Sequence, residues 1–317
     1  MWTRANDREC LFCFTAKWLS LLVVVCISAF AQDSVAQSRE TRLTVVSEPS
    51  ATVFIDNIRF GSTDSTGKLI VKNLGGLRHI VRVRADGFKE TSKSITSAQG
   101  DINIPLAKTT DQAELAFQEA ERLLSRDRQL AADAYRKAIK LRPNYVAAYI
   151  GLARVLSDSG DLDGGLKALR DLKRVAPANA EASAVEGRIY KDSGDEAKAI
   201  AAFKRSITQG RGFQPEAYTG LGLLYKEKAE AAGGAGDFDD ESANYAESAK
   251  DLTTALKQLA GAPDAVILYQ LLGLVYEKQK KYDDAIRVYN EFLERFPNSN
   301  DAPAVRSFIE QIKKQRP

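Results

Sequence analysis

Residue types that carry nucleophilic and metal-binding chemistry are scarce in this sequence. It contains three cysteines, Cys10, Cys13 and Cys26, and one histidine, His79. Beyond residue 26 a disulfide, a thiolate nucleophile and a sulfur-ligated zinc are therefore excluded. The sequence has no P-loop, no Gly-x-Ser-x-Gly elbow and no His-Glu-x-x-His motif. We expect no catalytic residue, metal ion or cofactor. The sequence does not exclude catalysis by a pair of acidic side chains, but no motif singles out such a pair.

The sequence also lacks an excess of charge of one sign. Lys and Arg number 45 against 42 Asp and Glu, which gives a net charge of +3. Nucleic-acid-binding proteins instead concentrate basic residues in a stripe or patch. We therefore expect no nucleic-acid partner. The apolar content of 44 % is typical of a folded protein with a core to bury.

An apolar run at residues 19–31 predicts the cellular location. As a helix it would rise only about 20 Å, less than the roughly 30 Å hydrocarbon core of a membrane. It ends in Ala29-Phe30-Ala31, which has small residues at the two positions that a signal peptidase recognises. We interpret residues 1–31 as a cleaved signal peptide and 32–41 as a linker, so the protein is exported to the periplasm or cell envelope. A membrane contact is expected only for the alternative, an uncleaved anchor.

Residues 42–108 follow the period of two that is typical of β-strands. Gly, Pro, Asn and Asp separate short runs rich in β-branched residues. The runs lie at 43–46, 51–55, 68–71, 78–84 and 102–106. Strands this short, with turns this regular, predict a small antiparallel β-sandwich.

The run at 78–84 places different chemistry on its two sides. Arg78, Arg82 and Arg84 share one side, and His79 lies on the apolar side. The three arginines are a candidate anion-binding face, with a solvated face as the simpler interpretation. We interpret His79 as a core residue.

Several motifs of this region resemble a PEGA domain, a small module of the bacterial cell envelope. They are Ser47-Glu48-Pro49-Ser50-Ala51, Val53-Phe54-Ile55-Asp56-Asn57, Phe60-Gly61-Ser62-Thr63, Gly76 with His79, and Ala85-Asp86-Gly87-Phe88. The family is named for a Pro-Glu-Gly-Ala turn. This sequence has Pro49-Ser50-Ala51 instead, so Ser50 stands in place of Glu-Gly. The resemblance implies a β-fold and a bacterial envelope protein.

Beyond residue 110 the sequence repeats every 34 residues. Pro143 and Pro177 are one period apart, as are Gly160-Asp161 and Gly194-Asp195. Tyr218-x2-Leu221-Gly222-x2-Tyr225 recurs as Tyr269-x2-Leu272-Gly273-x2-Tyr276. This pattern resembles a tetratricopeptide repeat array, whose unit is a pair of antiparallel helices.

The resemblance implies an all-α solenoid at 111–300, made of about five units. The first unit is degenerate, with Gln118-Glu119 where Leu-Gly is expected, and the fourth carries an insertion near 228–245. We interpret the acidic part of this insertion, around Asp237, as a solvated turn. Residues 301–317 predict a helix that caps the array. The fold class is therefore multidomain, a PEGA-like β-sandwich followed by a helical solenoid.

By analogy with the repeat family, the first helices of the units line a concave groove. The candidate groove residues that contact a partner are Arg154, Arg188, Lys191, Lys226, Ile150 and Leu223. The cations at equivalent places favour an acidic peptide or a terminal carboxylate. A solvated charged face is the alternative for each residue separately.

The sequence therefore predicts a non-enzymatic envelope scaffold. The repeats would bind a protein or peptide partner, and the β-domain would be an accessory docking module. The alternative is a cell-wall or polysaccharide-binding module led by the β-domain and its arginine face. The choice of partner binding follows from fold analogy.

Overall fold

The computed structural model describes residues 41–315 apart from 73, 75–77, 99 and 260. The predicted signal peptide at 1–31 and nearly all of the predicted linker lie outside the described residues. Among the helices of the described part, none combines the length and the apolar character needed to cross a membrane.

Seven strands form two small sheets in the N-terminal region. They are β1 Arg42–Val46, β2 Thr52–Ile55, β3 Ile58–Ser62, β4 Lys68–Lys72, β5 His79–Arg84, β6 Thr91–Ile95 and β7 Gly100–Asn103. One sheet has the order β4-β1-β7 and the other β3-β2-β5-β6. Alternate residues of the central strands, such as Val45, Val53 and Val83, are fully buried. The period-two pattern therefore predicted which side of these strands is buried.

The expectation of a wholly antiparallel sandwich is wrong for one pair of strands. β1 and β7 run parallel, with Val45 opposite Ile102, whereas the other pairs are antiparallel. β7 follows β6 of the other sheet, so it crosses between sheets before it pairs with β1. The sequence pattern also gave no expectation for β6, because only Ile95 of this edge strand is buried.

Eleven helices follow within the described residues. They are α1 Gln112–Leu123, α2 Arg128–Leu141, α3 Val146–Asp158, α4 Leu162–Val175, α5 Ala180–Asp192, α6 Glu196–Gln209, α7 Pro215–Ala235, α8 Phe238–Leu259, α9 Ala265–Lys278, α10 Tyr282–Arg295 and α11 Ala302–Gln315. Consecutive pairs from α1 to α10 make the five predicted units. The predicted cap is α11, which buries Val305, Ile309 and Ile312.

The repeated Gly-Asp pairs are the turns between paired helices. Gly160 and Gly194 have φ angles of 86° and 78°, which a side chain rarely adopts. The following aspartates cap the next helix: Asp161 accepts from the N–H of Gly164 at 2.8 Å, and Asp195 from that of Lys198 at 3.1 Å. The 34-residue period thus places a left-handed glycine and an N-cap where α4 and α6 begin.

Small residues in the first helices allow aromatic side chains of the second helices to pack closely. A β-carbon added to Gly187 would lie 2.6 Å from Cδ1 of Phe203. At Gly273 it would clash with the ring of Tyr289. Both rings are almost fully buried. The glycines are therefore required by packing between helices.

The insertion in the fourth unit lengthens both of its helices. α7 has 21 residues and α8 has 22, against 12 to 14 in the helices of the other units. The expected solvated turn is wrong here, because Asp239, Asp240 and Glu241 form the first turn of α8. Negative side chains stabilise that end of a helix, and Gly236, with a φ of 81°, ends α7. Asp239 and Asp240 are exposed, as expected.

The β region packs against the helical array. The Gln118 side chain accepts from the Gly87 N–H at 2.8 Å and donates to the Phe88 carbonyl at 2.7 Å. Arg84 forms an ion pair of 3.2 Å with Glu121. Buried apolar residues of the β region and of α7 to α11 belong to one continuous hydrophobic cluster. The two regions therefore share a core, although they differ in secondary structure.

Candidate binding cavity on the concave face of the helical array

First helices of consecutive units bring four of the predicted groove residues to one cavity. Arg154 of α3, Arg188 and Lys191 of α5 and Leu223 of α7 line a cavity of about 930 Å³. The other two predicted residues are elsewhere: Ile150 is buried in the core at 5 % exposure, and Lys226 does not line the cavity. The repeat geometry therefore accounts for the grouping of these four residues around one cavity.

The tip of the β2–β3 hairpin forms the opposite wall. Phe54, Asp56, Asn57, Ile58 and Arg59 line the same cavity. The two turn residues, Asp56 and Asn57, have φ angles of 51° and 68°, as a tight two-residue hairpin requires. Sequence reasoning recognised this Asp-Asn pair as a turn. It could not place the turn against the helices, since that position depends on how the β region packs.

Asp56 holds the hairpin tip to the neighbouring strand. One of its carboxylate oxygens, Oδ1, accepts from the backbone N–H of Ile80 at 2.9 Å, and Oδ2 lies 2.7 Å from Nδ1 of His79. His79 is buried, as predicted, and its Nε2 has no hydrogen-bond partner among the described residues. These contacts make the hairpin tip a fixed part of the cavity wall.

Arg154 is held by carboxylates from two neighbouring helices. Its guanidinium donates to Glu216 at 2.8 Å and to Glu181 at 3.3 Å. Burial opposes the charged form, but the carboxylates of Glu216 and Glu181 outweigh it and raise the pKa of Arg154. Arg154 thus stays charged and ties α3 to α5 and α7.

The other predicted cations have more exposed partners. Arg188 pairs with Asp158 at 3.1 Å, and its buried Nε has no partner within the described residues. Lys191 pairs with Glu227 at 3.1 Å. Ion pairs with exposed partners contribute little to stability. The carboxylate of a ligand can therefore replace Asp158 or Glu227 at a small cost in free energy. Lys226 lies outside the cavity and pairs with Glu230 of its own helix at 2.7 Å.

Apolar side chains that sequence reasoning missed complete the cavity. Phe213 lies in the turn after α6, and Ile267 lies in the first turn of α9. They are 39 % and 68 % exposed, so a bound ligand can reach both side chains. The signal was available for Ile267, which lies outside the i, i+3, i+4, i+7 spacing of the buried residues of α9.

The arginine face of the β region contacts the chain itself. Arg84 pairs with Glu90 at 2.7 Å, and its guanidinium lies 4.5 Å from the ring centre of Phe117. Arg82 pairs with Glu90 at 3.2 Å and stacks on Phe54. Two of the three arginines thus stabilise packing within the chain, and only Arg78 is exposed.

The cavity holds no grouping of side chains suited to a metal ion. Throughout the described part of the chain, no three His, Cys, Asp or Glu residues are placed to bind one. The lining combines apolar side chains and the hairpin turn with four cations and five carboxylates, which are Asp56, Glu181, Asp192, Glu216 and Asp264. Such a combination suits the binding of an extended peptide.

Three family models described as tetratricopeptide repeat match residues 111–189, 180–209 and 235–300. The solved structure of yeast Tom70 is similar with a TM-score of 0.52 and 18 % identity, over 65 % of this chain and 41 % of that one. TTC0263, a TPR protein of Thermus thermophilus, has a TM-score of 0.46 and 17 % identity, over 63 % of this chain and 98 % of that one. The MamA protein has a TM-score of 0.42 and 20 % identity, over 60 % of this chain and 94 % of that one.

Identities this low show the fold alone. No curated protein matches the chain significantly. The family models and the helix pairs nevertheless agree on the repeats over α1 to α6 and α8 to α10. The chain therefore carries a tetratricopeptide repeat array, a fold that generally serves as a scaffold for protein interaction.

Proposed function

We propose that this chain is a non-enzymatic adaptor of the cell envelope, which holds an extended segment of a partner protein in the concave cavity. One observation carries the proposal: concave positions of α3, α5, α7 and α9 and the β2–β3 hairpin meet around about 930 Å³. That volume is within the range of ligand pockets. The β region, which we propose is a PEGA-like domain, acts as one wall of the site.

The partner segment is an acidic peptide that also carries an apolar side chain. Arg59 forms no ion pair within the described residues, and Arg188 and Lys191 have partners that are half exposed. These three cations can bind a carboxylate of the ligand by donating hydrogen bonds to it. Phe213, Leu223 and Ile267 form the apolar floor. Arg154 has a different role: it fixes the helices that carry these residues.

The proposed location depends on the N-terminal sequence. The apolar run at 19–31 ends in Ala29-Phe30-Ala31, and the β region resembles an envelope module. N-terminal sequencing of the exported protein should begin at Gln32. A mature protein that retains residues 19–31 would instead be anchored in the membrane.

The binding site can be tested with variants of residues that line the cavity. We expect that I267S and the double variant R188A/K191A lose the partner when the wild type captures it from an envelope extract. The matched control is L130S with K137A, which alters an exposed leucine and a cation on α2, away from the cavity. I267S and the control should keep the wild-type unfolding temperature, since the altered side chains are exposed and contribute little to stability.

Once the partner segment is known, its affinity should respond to the same changes. R188A/K191A should weaken binding of a synthetic peptide at least about tenfold, and added salt should weaken binding to the wild type. Binding that is indifferent to both variants and to salt would refute the cavity as the site. Retention on purified cell-wall polymer, without a protein partner, would instead favour the alternative role led by the β region.

A further inference from the structure

The tip of the long helix pair presents a feature that the concave cavity does not use. Phe238 begins α8 and is 71 % exposed, more than any other large apolar side chain of the described residues. Asp237, Asp239, Asp240 and Glu241 flank it, and together these five residues are called the acidic tip. Carboxylates stabilise the start of a helix. That effect does not explain an aromatic ring in water.

None of the four carboxylates of the acidic tip forms an ion pair within the part of the chain that the structure describes. The carboxylate of Asp237 accepts from the backbone N–H of Asp240 at 3.1 Å, which caps the helix. The tip therefore combines an exposed ring with uncompensated negative charge. A complementary surface would present cations around an apolar floor.

The convex side of the first two units has such a surface, here called the basic groove. It lies between α2 and α4 and has a volume of about 630 Å³. Its cations are Arg136, Lys140, Lys167 and Arg174, with Asp171 as the one acidic residue of the lining. Its apolar lining comprises Ile139, Pro143, Tyr149, Leu152, Leu156, Ala168 and Val175.

The positive charge of the basic groove is only partly compensated. Lys167 and Arg174 share the carboxylate of Asp171, at 2.8 Å and 3.4 Å, and Arg136 pairs with Asp133 at 2.7 Å. Lys140 is exposed and has no ion-pair partner among the described residues. The Lys167 side chain is 71 % exposed, and that of Arg174 is 81 % exposed. Another anion can therefore reach these cations.

We propose that the acidic tip of one copy of this chain docks into the basic groove of a second copy. Phe238 would cover the apolar floor, and the flanking carboxylates would meet the four cations. The groove volume exceeds that of a phenylalanine ring several-fold, so a turn of helix can enter with it. The inference uses surfaces other than the concave cavity, so it does not depend on the proposed function.

The two surfaces lie on different units, so the contact is heterologous. Each copy would offer its acidic tip to one neighbour and its basic groove to another. Such contacts close into a ring or continue as an open chain. We therefore expect self-association that grows with protein concentration and falls with added salt.

Charge reversal tests this contact in the full chain. Variant D239K/D240K reverses the acidic tip, and variant K140E/K167E reverses the basic groove. By sedimentation velocity at low salt, each variant alone should self-associate at least about tenfold more weakly than the wild type. The matched control K257E/K313E reverses two exposed lysines elsewhere and should associate like the wild type.

A mixture of the two charge-reversed variants gives the decisive result. The basic tip of one variant faces the acidic groove of the other, and the unaltered tip and groove also match. Association of the mixture should therefore return to at least the wild-type strength. A monomeric wild type, an effect of only one variant, or a mixture that stays dissociated would each overturn the proposal.

Discussion

Gln118 occupies a place where the repeat signature expects leucine, and restoring that leucine should destabilise the protein. Gln118 is 4 % exposed, and its side chain bonds the Gly87 N–H and the Phe88 carbonyl across the junction with the β region. In Q118L both backbone groups lose their partner. The apparent degeneracy of the first unit is thus explained by a contact that the other units do not make.

The magnitude follows from the two hydrogen bonds lost across the junction; a third, from Gln118 to the Glu114 carboxylate at 3.2 Å, is lost within α1. A buried polar group without a partner costs about 1–3 kcal/mol. Because both bonds are only partly buried, water can compensate some of this cost. We expect Q118L to lower the free energy of unfolding by about 2–3 kcal/mol. For a chain of this size the unfolding temperature should fall by roughly 4–12 °C.

Thermal unfolding followed by circular dichroism measures this effect. The control is Q129L, which replaces an exposed glutamine of α2 and should stay within about 0.5 kcal/mol of the wild type. Hydrogen exchange should also become faster at Gly87 in Q118L, since its N–H loses its acceptor. A Q118L variant that melts with the wild type and protects Gly87 equally would refute this explanation of Gln118.

Three further changes test packing, burial and backbone strain. G187A should lower the unfolding temperature despite the better helix propensity of alanine, because its β-carbon meets Phe203; G187A/F203L should recover part of the loss. D251N should raise the unfolding temperature at pH 7.5. Burial raises the pKa of Asp251 from 3.8 to about 6, so the wild type loses stability as the pH rises through that range and the gain should vanish near pH 4. N57V should destabilise the hairpin, because a branched residue resists a φ of 68°, whereas N57G should be tolerated; denaturant unfolding distinguishes them.

The local sequence predicted the helix pairs and the buried sides of the central strands, but not strands β3 and β6. Two-residue alternation placed Val53 and Val83 inside the β region, and the 34-residue period placed Arg188 and Leu223 on first helices that face the cavity. Both patterns are local, because side chains at a fixed spacing must share a face of a strand or helix. The Gly-Asp turns were predictable for the same reason.

The tertiary structure decided the features that join distant segments. The parallel pairing of β1 with β7 and the position of the hairpin tip in the cavity depend on the path of the chain between sheets and on docking against the helices. The partner of Arg154 could not be predicted either, since Glu216 is 62 residues away in the sequence. Periodicity determines which side of an element is buried. Which elements then meet depends on long-range packing of several surfaces at once, and no short stretch of this sequence contains that information.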